Sequence, residues 1–413
     1  MSSFQRLEGA LHGGGVPLAE LAARFGTPLY AYSADMIAAR YREVDQAFSG
    51  YPHTLHYALK ANSTLAVARL LRGLGAAADA NSGGEIEVAL RAGFTPAEIV
   101  FTGVGKSDAE LARAIELNLR SINAESEGEI ERIDAIASAR GTRARVAVRI
   151  NPDIDARSHP HISTGRKNNK FGVAIEDARE MCLRMRGRQG VQIVGLHSHV
   201  GSQITHLEPL QHAAEALATL ACELRRAGIE VEHLDIGGGL GIPYEGQPVP
   251  SASEYAAAVL PFVQQTGLAL VLEPGRYLVG QAGVLITRVV DIKPQPGGKL
   301  FVIVDAGMTE LMRPMLYGAF HRIEPVFPST APEAIVDFVG PVCETTDTLG
   351  RDRRLPEPAV GDLMVVFDAG AYGSVMASNY NRRPMPAEVL IQHGQATLVR
   401  RRQTIDDLVA LEL

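Results

Sequence analysis

The stretch Thr54-Leu55-His56-Tyr57-Ala58-Leu59-Lys60-Ala61-Asn62 sets the organisation of the chain. Its apolar residues alternate from Leu55 to Leu59, which predicts a strand, and a helix is predicted to begin just after Asn62. Lys60 therefore stands at the carboxyl end of a strand between apolar neighbours. Desolvation there would lower the pKa of its ammonium and make it a nucleophile able to form a Schiff base. The alternative is a strand-end lysine that reaches solvent, which is the commoner arrangement.

Downstream of this stretch, apolar strand-like runs alternate with amphipathic helical ones. The predicted strands are 54–61, 77–82, 99–104, 121–125, 145–151, 192–200, 233–238 and 268–272. Eight strands with intervening helices over about 250 residues are typical of a closed parallel (β/α)8 barrel of the TIM type. The alternative is an open doubly wound sheet, which commonly has a glycine fingerprint after its first strand; the sequence lacks one here.

After about residue 283 the pattern changes to strands split by Gly/Pro turns, which predicts a C-terminal antiparallel β domain. The strand-like run at 27–32 has no partner nearby in sequence, so we expect it to join that domain. The predicted domains are therefore a barrel over 33–283, and a β domain built from 1–32 and 284–413.

Composition excludes several classes of protein. The 413 residues carry a formal net charge of −7, which argues against nucleic acid or an anionic membrane as the main partner. The sequence has no apolar run long enough to span a bilayer and no signal-peptide pattern at its start. Three cysteines and the absence of CxxC or HExxH spacing predict neither a disulfide framework nor a metal site. We expect a cytoplasmic, metal-free protein.

Two neighbouring strand ends suggest a phosphate site. The seventh predicted strand runs into Gly237, Gly238 and Gly239, whose backbone can approach an anion closely. The eighth ends in Glu273-Pro274-Gly275-Arg276, which adds a further close backbone approach and a guanidinium. In a barrel, a phosphate often binds at the loops after strands 7 and 8. A glycine triplet alone is weak evidence, because ordinary turns use it constantly.

A reactive lysine combined with a phosphate site fits a phosphorylated aldehyde, and pyridoxal 5'-phosphate is the obvious candidate. Glu273 then has a role, because a carboxylate bound to the pyridine nitrogen keeps that nitrogen protonated and the ring a strong electron sink. The alternative for Glu273 is a structural ion pair with Arg276.

Other polar residues are predicted at the barrel mouth. In the sixth strand, alternation puts His197 and His199 on one face; one imidazole could stack on the pyridine ring, and Ser202 could bind the phosphate. A zinc pair or core histidines remain alternatives, although no third ligand follows from the spacing. Asp79 and Glu85 could hold Lys60 or the cofactor, or start a helix. Arg149, within an apolar strand, needs an interior partner.

Taken together, these motifs resemble the fold-type III pyridoxal-phosphate-dependent decarboxylases, which are related to alanine racemase, and among them the branch that acts on meso-diaminopimelate. The resemblance covers essentially the whole chain. It implies decarboxylation of meso-2,6-diaminopimelate to L-lysine and CO2, the last step of lysine biosynthesis, by a homodimer whose active sites are shared across the interface.

The resemblance also implies roles for individual residues. Lys60 would be the Schiff-base lysine, His199 the histidine stacked on the ring and Glu273 the partner of the pyridine nitrogen. The phosphate and its surroundings would be held by Ser202, Gly237, Gly238, Gly239, Gly275, Arg276 and Tyr372, and Asp79 would be a further cofactor-binding residue. The substrate would be bound by Arg276, Arg313, Tyr317, Glu344 and Tyr372, with Cys343 and Glu344 supplied by the partner subunit.

The chemistry of these residues agrees with a diacid diamine as substrate. Arg313 and Arg276 suit a distal carboxylate, and Glu344 suits the ammonium beside it. The alternative for Arg313 is a surface salt bridge. Cys343 lies in a Gly-Pro loop beside an acid and could protonate the carbanion left by CO2, as could Lys60. Cys182 and Cys222 lie in apolar helical runs and are interpreted as packing residues.

Two other functions remain possible from the sequence. One is a decarboxylase of the same fold that acts on ornithine, arginine or carboxynorspermidine, against which Arg313 and Tyr317 argue. The other is a racemase or a cofactor carrier on the same barrel. A racemase would be expected to have a weaker acid partner, typically arginine, at position 273, and a carrier would not need the β domain.

Overall fold

The computed structural model of the protein describes residues 3–155, 164–165 and 169–413. The chain divides into two compact units, which we call the barrel unit and the β unit. The barrel unit consists of residues 41–242 and 248–277. The β unit consists of the described residues up to 40, of 243–247 and of 278–413. The domain boundaries at 33 and 283 stay a prediction.

The strands of the described residues are β1 (Phe4–Leu7), β2 (Ala10–Gly13), β3 (Val16–Pro17), β4 (Leu29–Ser33), β5 (His53–Ala58), β6 (Ala77–Ala80), β7 (Ile99–Phe101), β8 (Ser121–Ala124), β9 (Ala144–Asn151), β10 (Val173–Ala174), β11 (Val191–His197), β12 (His233–Asp235), β13 (Ala269–Leu272), β14 (Gly283–Pro294), β15 (Leu300–Val304), β16 (Ile323–Pro325), β17 (Glu333–Val339), β18 (Thr348–Pro356), β19 (Leu363–Val366), β20 (Ala387–Gln392) and β21 (Gln395–Arg400).

The α-helices are α1 (Leu18–Phe25), α2 (Ala34–Phe48), α3 (Leu65–Gly73), α4 (Gly83–Ala92), α5 (Asp108–Glu116), α6 (Glu127–Ala139), α7 (Ile175–Met185), α8 (Glu208–Arg226), α9 (Ala252–Gln264), α10 (Arg276–Val279), α11 (Arg313–Tyr317) and α12 (Ile405–Val409). Within the part of the chain that the structure describes, none of them is both long enough and apolar enough to cross a membrane.

The barrel unit is a closed ring of eight parallel strands, so the predicted (β/α)8 barrel is confirmed and the open doubly wound sheet is wrong. Neighbouring strands pair in parallel from β5 through β9 and on through β11, β12 and β13. β13 then pairs with β5 and closes the ring. Each of the eight predicted strands is present. In a parallel barrel all carboxyl ends open on one mouth, so residues distant in sequence become neighbours there.

The β unit is built around β4, which lies between β14 and β20. This confirms that the N-terminal strand joins the C-terminal sheet. Alternate residues of β4 and β14 belong to two different cores: Leu29 and Ala31 face one and Tyr30 and Tyr32 face the other. Both faces of β4 and of the first part of β14, residues 283–287, are therefore buried, which explains why these segments are apolar almost throughout.

Most strand pairs of the β unit are antiparallel, as predicted, but two are parallel: β15 with β17 and β4 with β20. Sequence reasoning also missed the N-terminal strands β1 to β3 and the polar strand β18. β18 contains Arg351-Asp352-Arg353-Arg354, and pairing with β17 rather than an apolar pattern makes it a strand. Such pairing is decided by the tertiary structure.

Candidate active site

Lys60 lies just beyond β5, in a 3₁₀ turn over Leu59–Ala61, so the predicted strand ends earlier than expected, at Ala58. Its Nζ is 3.6 Å from Oδ2 of Asp79 and donates a hydrogen bond of 3.3 Å to Asn81. The lysine side chain is 31% exposed. Lys60 is thus neither fully desolvated nor simply a solvent-directed lysine, because a buried carboxylate holds its amine at the barrel mouth.

Two carboxyl groups near Lys60, those of Asp79 and Glu85, differ in burial. Asp79 in β6 is fully buried, and burial together with the charge of Glu273 raises its pKa. Glu85 starts α4 and accepts a hydrogen bond of 2.7 Å from the backbone N–H of Asn81. Burial raises the pKa of Glu85 to about 7. Glu85 is therefore a residue of the first turn of α4, as one of the alternatives predicted, and its role in holding Lys60 or the cofactor stays a prediction.

Glu273 follows β13 and is buried against His197. Its Oε2 is 3.2 Å from Nε2 of His197, and the hydroxyl of Thr102 donates to Oε1 at 3.4 Å. Burial alone would raise the pKa of Glu273, but the charge and hydrogen bond of His197, with a smaller contribution from Lys60, lower it overall. The site therefore contains a buried carboxylate that stays ionised.

The two predicted histidines have different environments. His197 ends β11 and contacts Glu273, whereas His199 lies beyond the strand and accepts the Gly238 N–H on Nδ1 at 3.2 Å. Burial and the charges of Lys60 and Arg149 lower the pKa of His199 well below its usual value. His199 is therefore a neutral imidazole with its proton on Nε2, and it can offer a flat aromatic face.

The three glycines after β12 pack tightly on neighbouring backbone. A Cβ on Gly238 would lie 2.2 Å from the carbonyl oxygen of Glu273, and one on Gly237 would lie 2.6 Å from that of Ser198. Gly237 and Gly239 also adopt positive φ angles of 67° and 118°. Only glycine both lacks a Cβ and readily adopts a positive φ angle, so the triplet forms a specific, tightly packed turn.

Beside the glycine turn, the buried Arg276 donates from Nη2 to the hydroxyl of Ser202 at 3.0 Å. Gly275 precedes it, and a Cβ there would be 3.0 Å from the Cβ of Ala61. The strand ends that sequence reasoning combined into a phosphate site are thus neighbours in the barrel unit.

Arg149, which required an interior partner, has one in Glu125, because Nη1 donates to Oε1 at 2.6 Å. The other carboxylate oxygen of Glu125 accepts the N–H of Gly172 at 2.8 Å, and the Arg149 guanidinium lies 4.6 Å from the centre of the Phe171 ring. Sequence reasoning did not single out Glu125, although it directly follows β8.

In the β unit, Arg313 begins α11 and is only 5% exposed, which excludes the surface salt bridge. His321 donates from Nδ1 to the Phe367 carbonyl at 2.8 Å, so its Nε2 is the acceptor for Nη1 of Arg313 at 2.7 Å. The guanidinium also lies 4.5 Å from the ring centre of Tyr244. This aromatic support fixes one face of the guanidinium. Tyr317 ends the same helix and is half-buried.

Cys343 and Glu344 lie on an exposed loop between β17 and β18. The loop is held from below by Asp347, whose carboxylate is buried and accepts the N–H groups of Met308 at 2.6 Å and Val342 at 2.8 Å. A Cβ on Gly340 would lie 2.3 Å from Asp347 Oδ2. Cys343 and Glu344 were predicted to act in the site, but the supporting role of Asp347 in the same loop was missed.

Tyr372 is half-buried in the β unit and has a left-handed backbone, with φ 55°. Such a conformation is uncommon for a bulky residue and costs of order 1–3 kcal/mol, which the surrounding structure must offset. Gly370 packs so closely that a Cβ would lie 1.9 Å from the Val279 carbonyl oxygen. The other two cysteines are in α7 and α8, Cys182 buried and Cys222 partly buried.

Comparison with known proteins identifies the family of this chain. Residues 34–280 match the family model described as the pyridoxal-binding domain of pyridoxal-dependent decarboxylases. A diaminopimelate decarboxylase from Pseudomonas aeruginosa is 45% identical over 412 residues, which cover 100% of this chain and 99% of that protein. The chain belongs to the diaminopimelate decarboxylase family.

Solved structures of the family have the same fold. The Helicobacter pylori diaminopimelate decarboxylase, complexed with L-lysine, is 42% identical with a TM-score of 0.92, over 96% of this chain and 99% of that one. The diaminopimelate decarboxylase from m. jannaschii, also in complex with L-lysine, is 38% identical with a TM-score of 0.94, over 100% of this chain and 98% of that one. The resemblance inferred from the motifs is confirmed.

Proposed function

We propose that the chain decarboxylates meso-2,6-diaminopimelate to L-lysine and CO2, with pyridoxal 5'-phosphate as cofactor, in the last step of lysine biosynthesis. The observation that carries the proposal is the barrel mouth itself, where an amine, a glycine turn and a buried ionised carboxylate meet. An ionised Glu273 suits a decarboxylase, since it would keep the pyridine nitrogen protonated; a racemase would be expected to have the weaker acid partner arginine there.

The residues present fit this cofactor. Lys60 would hold it covalently through Nζ, and Asp79 would orient the amine. The N–H groups of Gly237 and Gly238 already donate to Asp235 and His199. We assign the phosphate to the amide of Gly239, the hydroxyl of Ser202 and the guanidinium of Arg276, whose several N–H groups could bind it alongside Ser202, with Gly275 allowing close approach.

When bound, pyridoxal phosphate supplies an electron sink that accepts the bonding pair released as CO2 departs. Glu273 would contribute by remaining ionised against the ring nitrogen, and the Thr102 and His197 contacts keep its carboxylate in one orientation. His199 would supply a neutral aromatic face, because its Nδ1 is engaged by Gly238. After CO2 leaves, Cys343 or Lys60 would return one proton to the α-carbon.

The substrate assignment rests on the groups that would bind its far end. Arg313 presents a guanidinium that is supported by His321 and by the Tyr244 ring. In our proposal Arg276, Arg313 and Tyr317 bind the carboxylate that is retained, Glu344 binds the adjacent ammonium, and Tyr372 contacts cofactor and substrate. A planar, pre-oriented guanidinium recognises a carboxylate well and gives ornithine or arginine nothing to bind there.

We further propose that the active protein is a homodimer in which Cys343 and Glu344 act in the partner's site, and that it works in the cytoplasm. Supporting the dimer, both side chains are exposed in the single chain. A thiol that delivers a proton to a carbanion needs a site closed to water. We infer no nucleic-acid or membrane partner, consistent with the negative net charge.

The deciding experiment is lysine and CO2 release from meso-diaminopimelate by the purified protein with added pyridoxal phosphate. Ornithine, arginine and carboxynorspermidine would be assayed in parallel. We expect release from meso-diaminopimelate alone. Release from another substrate only would refute the assignment of Arg313 and Tyr317, while a bound cofactor without any CO2 release would point to a racemase or carrier.

A further inference from the structure

Behind Glu273 lies a second carboxyl group that neither the motifs nor the proposed reaction uses. Asp235 ends β12, is fully buried, and precedes the glycine turn. Its Oδ1 accepts the N–H of Gly237 at 2.9 Å. Its Oδ2 is buried and has no hydrogen-bond partner among the described residues. A buried carboxylate oxygen left without a donor is costly, so this atom requires an explanation.

The neighbouring carboxyl group of Glu273 explains why Oδ2 of Asp235 has no donor among the described residues. Polar atoms of Asp235, Glu273 and His197 all lie within 4.8 Å of one another. Two buried carboxylates this close cannot both be ionised at low cost, and sharing one proton resolves the conflict. Glu273 already accepts from His197 and Thr102, whereas Oδ2 of Asp235 has no donor in the described structure. The proton therefore belongs on Asp235.

Among the other charged and titratable groups around Asp235, the carboxylates favour a proton on Asp235. Burial and the charge of Glu273 raise the pKa of Asp235 well above its usual range, and Asp79 adds to the effect. Arg120 interacts electrostatically with Asp235 and opposes this effect, because a guanidinium stays charged and favours an ionised carboxylate. Burial and the neighbouring carboxylates outweigh that attraction. The hydroxyl of Tyr255 is also close enough for its pKa to respond to Asp235. Lys60 acts on Glu273 and keeps the negative charge there.

We propose that Asp235 is a positioning residue that carries a proton on Oδ2 and donates it to Glu273, while its Oδ1 holds the glycine turn through Gly237. One neutral side chain thereby links the carboxylate that would bind the cofactor's ring nitrogen to the turn that would bind its phosphate. The expected effects of Asp235 on cofactor binding and turnover rest on the proposed function, but the position of the proton does not.

The test uses Asp235→Asn and Asp235→Ala. Asparagine copies a neutral aspartic acid, because its Oδ1 can accept from Gly237 and its Nδ2 can donate to Glu273. We expect D235N to keep cofactor affinity and kcat within about threefold of the wild type, and D235A to lose about tenfold or more in both. If D235N is as impaired as D235A while both remain folded by thermal unfolding, Asp235 is ionised and the proposal is wrong.

A second readout needs neither cofactor nor activity. Infrared spectra of the apoprotein at pH 8 should contain a protonated-carboxyl C=O band that disappears in D235N. The matched control is Asp134→Asn, because Asp134 also accepts a backbone N–H, from Gly190 at 2.7 Å, but lies 3.5 Å from Arg188. That variant should keep the band. A wild-type spectrum without it, or a band that survives in D235N, overturns the proposal.

The two readouts separate this inference from the proposed function. If the wild-type holoprotein releases no CO2 from meso-diaminopimelate, the proposed function fails, and the infrared spectra of the apoprotein still decide where the proton lies. If CO2 is released but the carboxyl band does not depend on Asp235, only the further inference fails.

Discussion

The barrel unit and the β unit hold their candidate residues by different means. In the barrel unit, Glu273 and Asp79 are buried inside a ring of strands and contact other side chains, namely His197 and Lys60. In the β unit, Cys343 and Glu344 are exposed, and backbone N–H groups bound to the buried Asp347 hold their loop. The side-chain contacts in the barrel unit determine which candidate groups are ionised, whereas the hydrogen bonds in the β unit determine where the loop with Cys343 and Glu344 lies.

This difference has consequences for mutation. A substitution in the barrel unit alters the protonation of its neighbours, because the groups interact in a medium of low dielectric constant. A substitution on the exposed loop of the β unit changes little else, so its effect on activity is expected to be separable from stability. The following predictions test this contrast, beginning with the largest expected effect.

Replacing Lys60 with Ala should lower kcat by about 10⁴-fold or more, because it removes the amine that would hold the cofactor. The long-wavelength absorption of the lysine-bound cofactor should disappear as well. The matched control is Lys299→Ala in the β unit, where the ammonium pairs with Asp337 and Asp352 at the surface. Substantial activity in K60A would refute the assignment, and a comparable loss in K299A would show that the effect is not specific.

Glu273→Gln should lower kcat by about 10²-fold with little change in cofactor retention, since it keeps the shape of the side chain and removes its charge. Cofactor retention would be measured by absorbance after gel filtration, alongside steady-state rates. The control is Glu127→Gln on the barrel exterior, where the carboxylate pairs with Arg184. An E273Q rate equal to that of the wild type would contradict the role of this charge.

In the β unit, Gly340→Ala should lower kcat/KM by about tenfold, because the new methyl group would collide with Oδ2 of Asp347 and displace the loop. The cofactor spectrum should remain that of the wild type, since the barrel residues are untouched. Gly361→Ala is the control: it lies in an exposed turn with nothing within 4 Å of its Cβ position, although its φ of 96° adds local strain. A change in the cofactor spectrum of G340A would contradict the expectation that substitutions on this loop leave the barrel residues unaffected.

The last prediction concerns stability rather than activity: the pKa of Glu85 is raised from 4.5 to about 7 by burial. A raised folded-state pKa means that the protonated form contributes stability below pH 4.5 and that this contribution is lost as the pH rises through 7. Glu85→Gln should therefore be more stable than the wild type by about 2 kcal/mol at pH 8 and equal to it near pH 4. Denaturant unfolding at both pH values checks this; a difference independent of pH would contradict it.

Much of the barrel and its site follows from local sequence. Parallel strands buried on both faces require continuous apolar runs, and their carboxyl ends share one mouth, so Lys60, Glu273 and the glycine turn could be brought together without coordinates. The N-terminal strand could likewise be predicted to join the β domain, because an apolar strand without a local partner must pair elsewhere.

The residues that sequence reasoning missed are those whose roles depend on a partner distant in the chain. In the sequence Glu125 has no distinguishing feature; its role follows from the hydrogen bond of 2.6 Å that it accepts from Arg149. The role of Asp347 likewise follows from the hydrogen bonds that it accepts from the backbone N–H groups of Met308 and Val342. Asp235 lies within the seventh predicted strand, but its role cannot be predicted locally, because its neighbour Glu273 follows the next strand of the barrel.

The sequence by itself determined the fold class, the family and the chemistry available, since strand periodicity and the reactive residue types are local properties of the chain. Only the tertiary structure decided which buried groups share a proton, which histidine contacts Glu273 and which binds the glycine turn, and which acid holds the Cys343 loop. The physical reason is that hydrogen bonding and charge in a buried site depend on distances of a few ångströms between strands, which no periodicity in the sequence encodes.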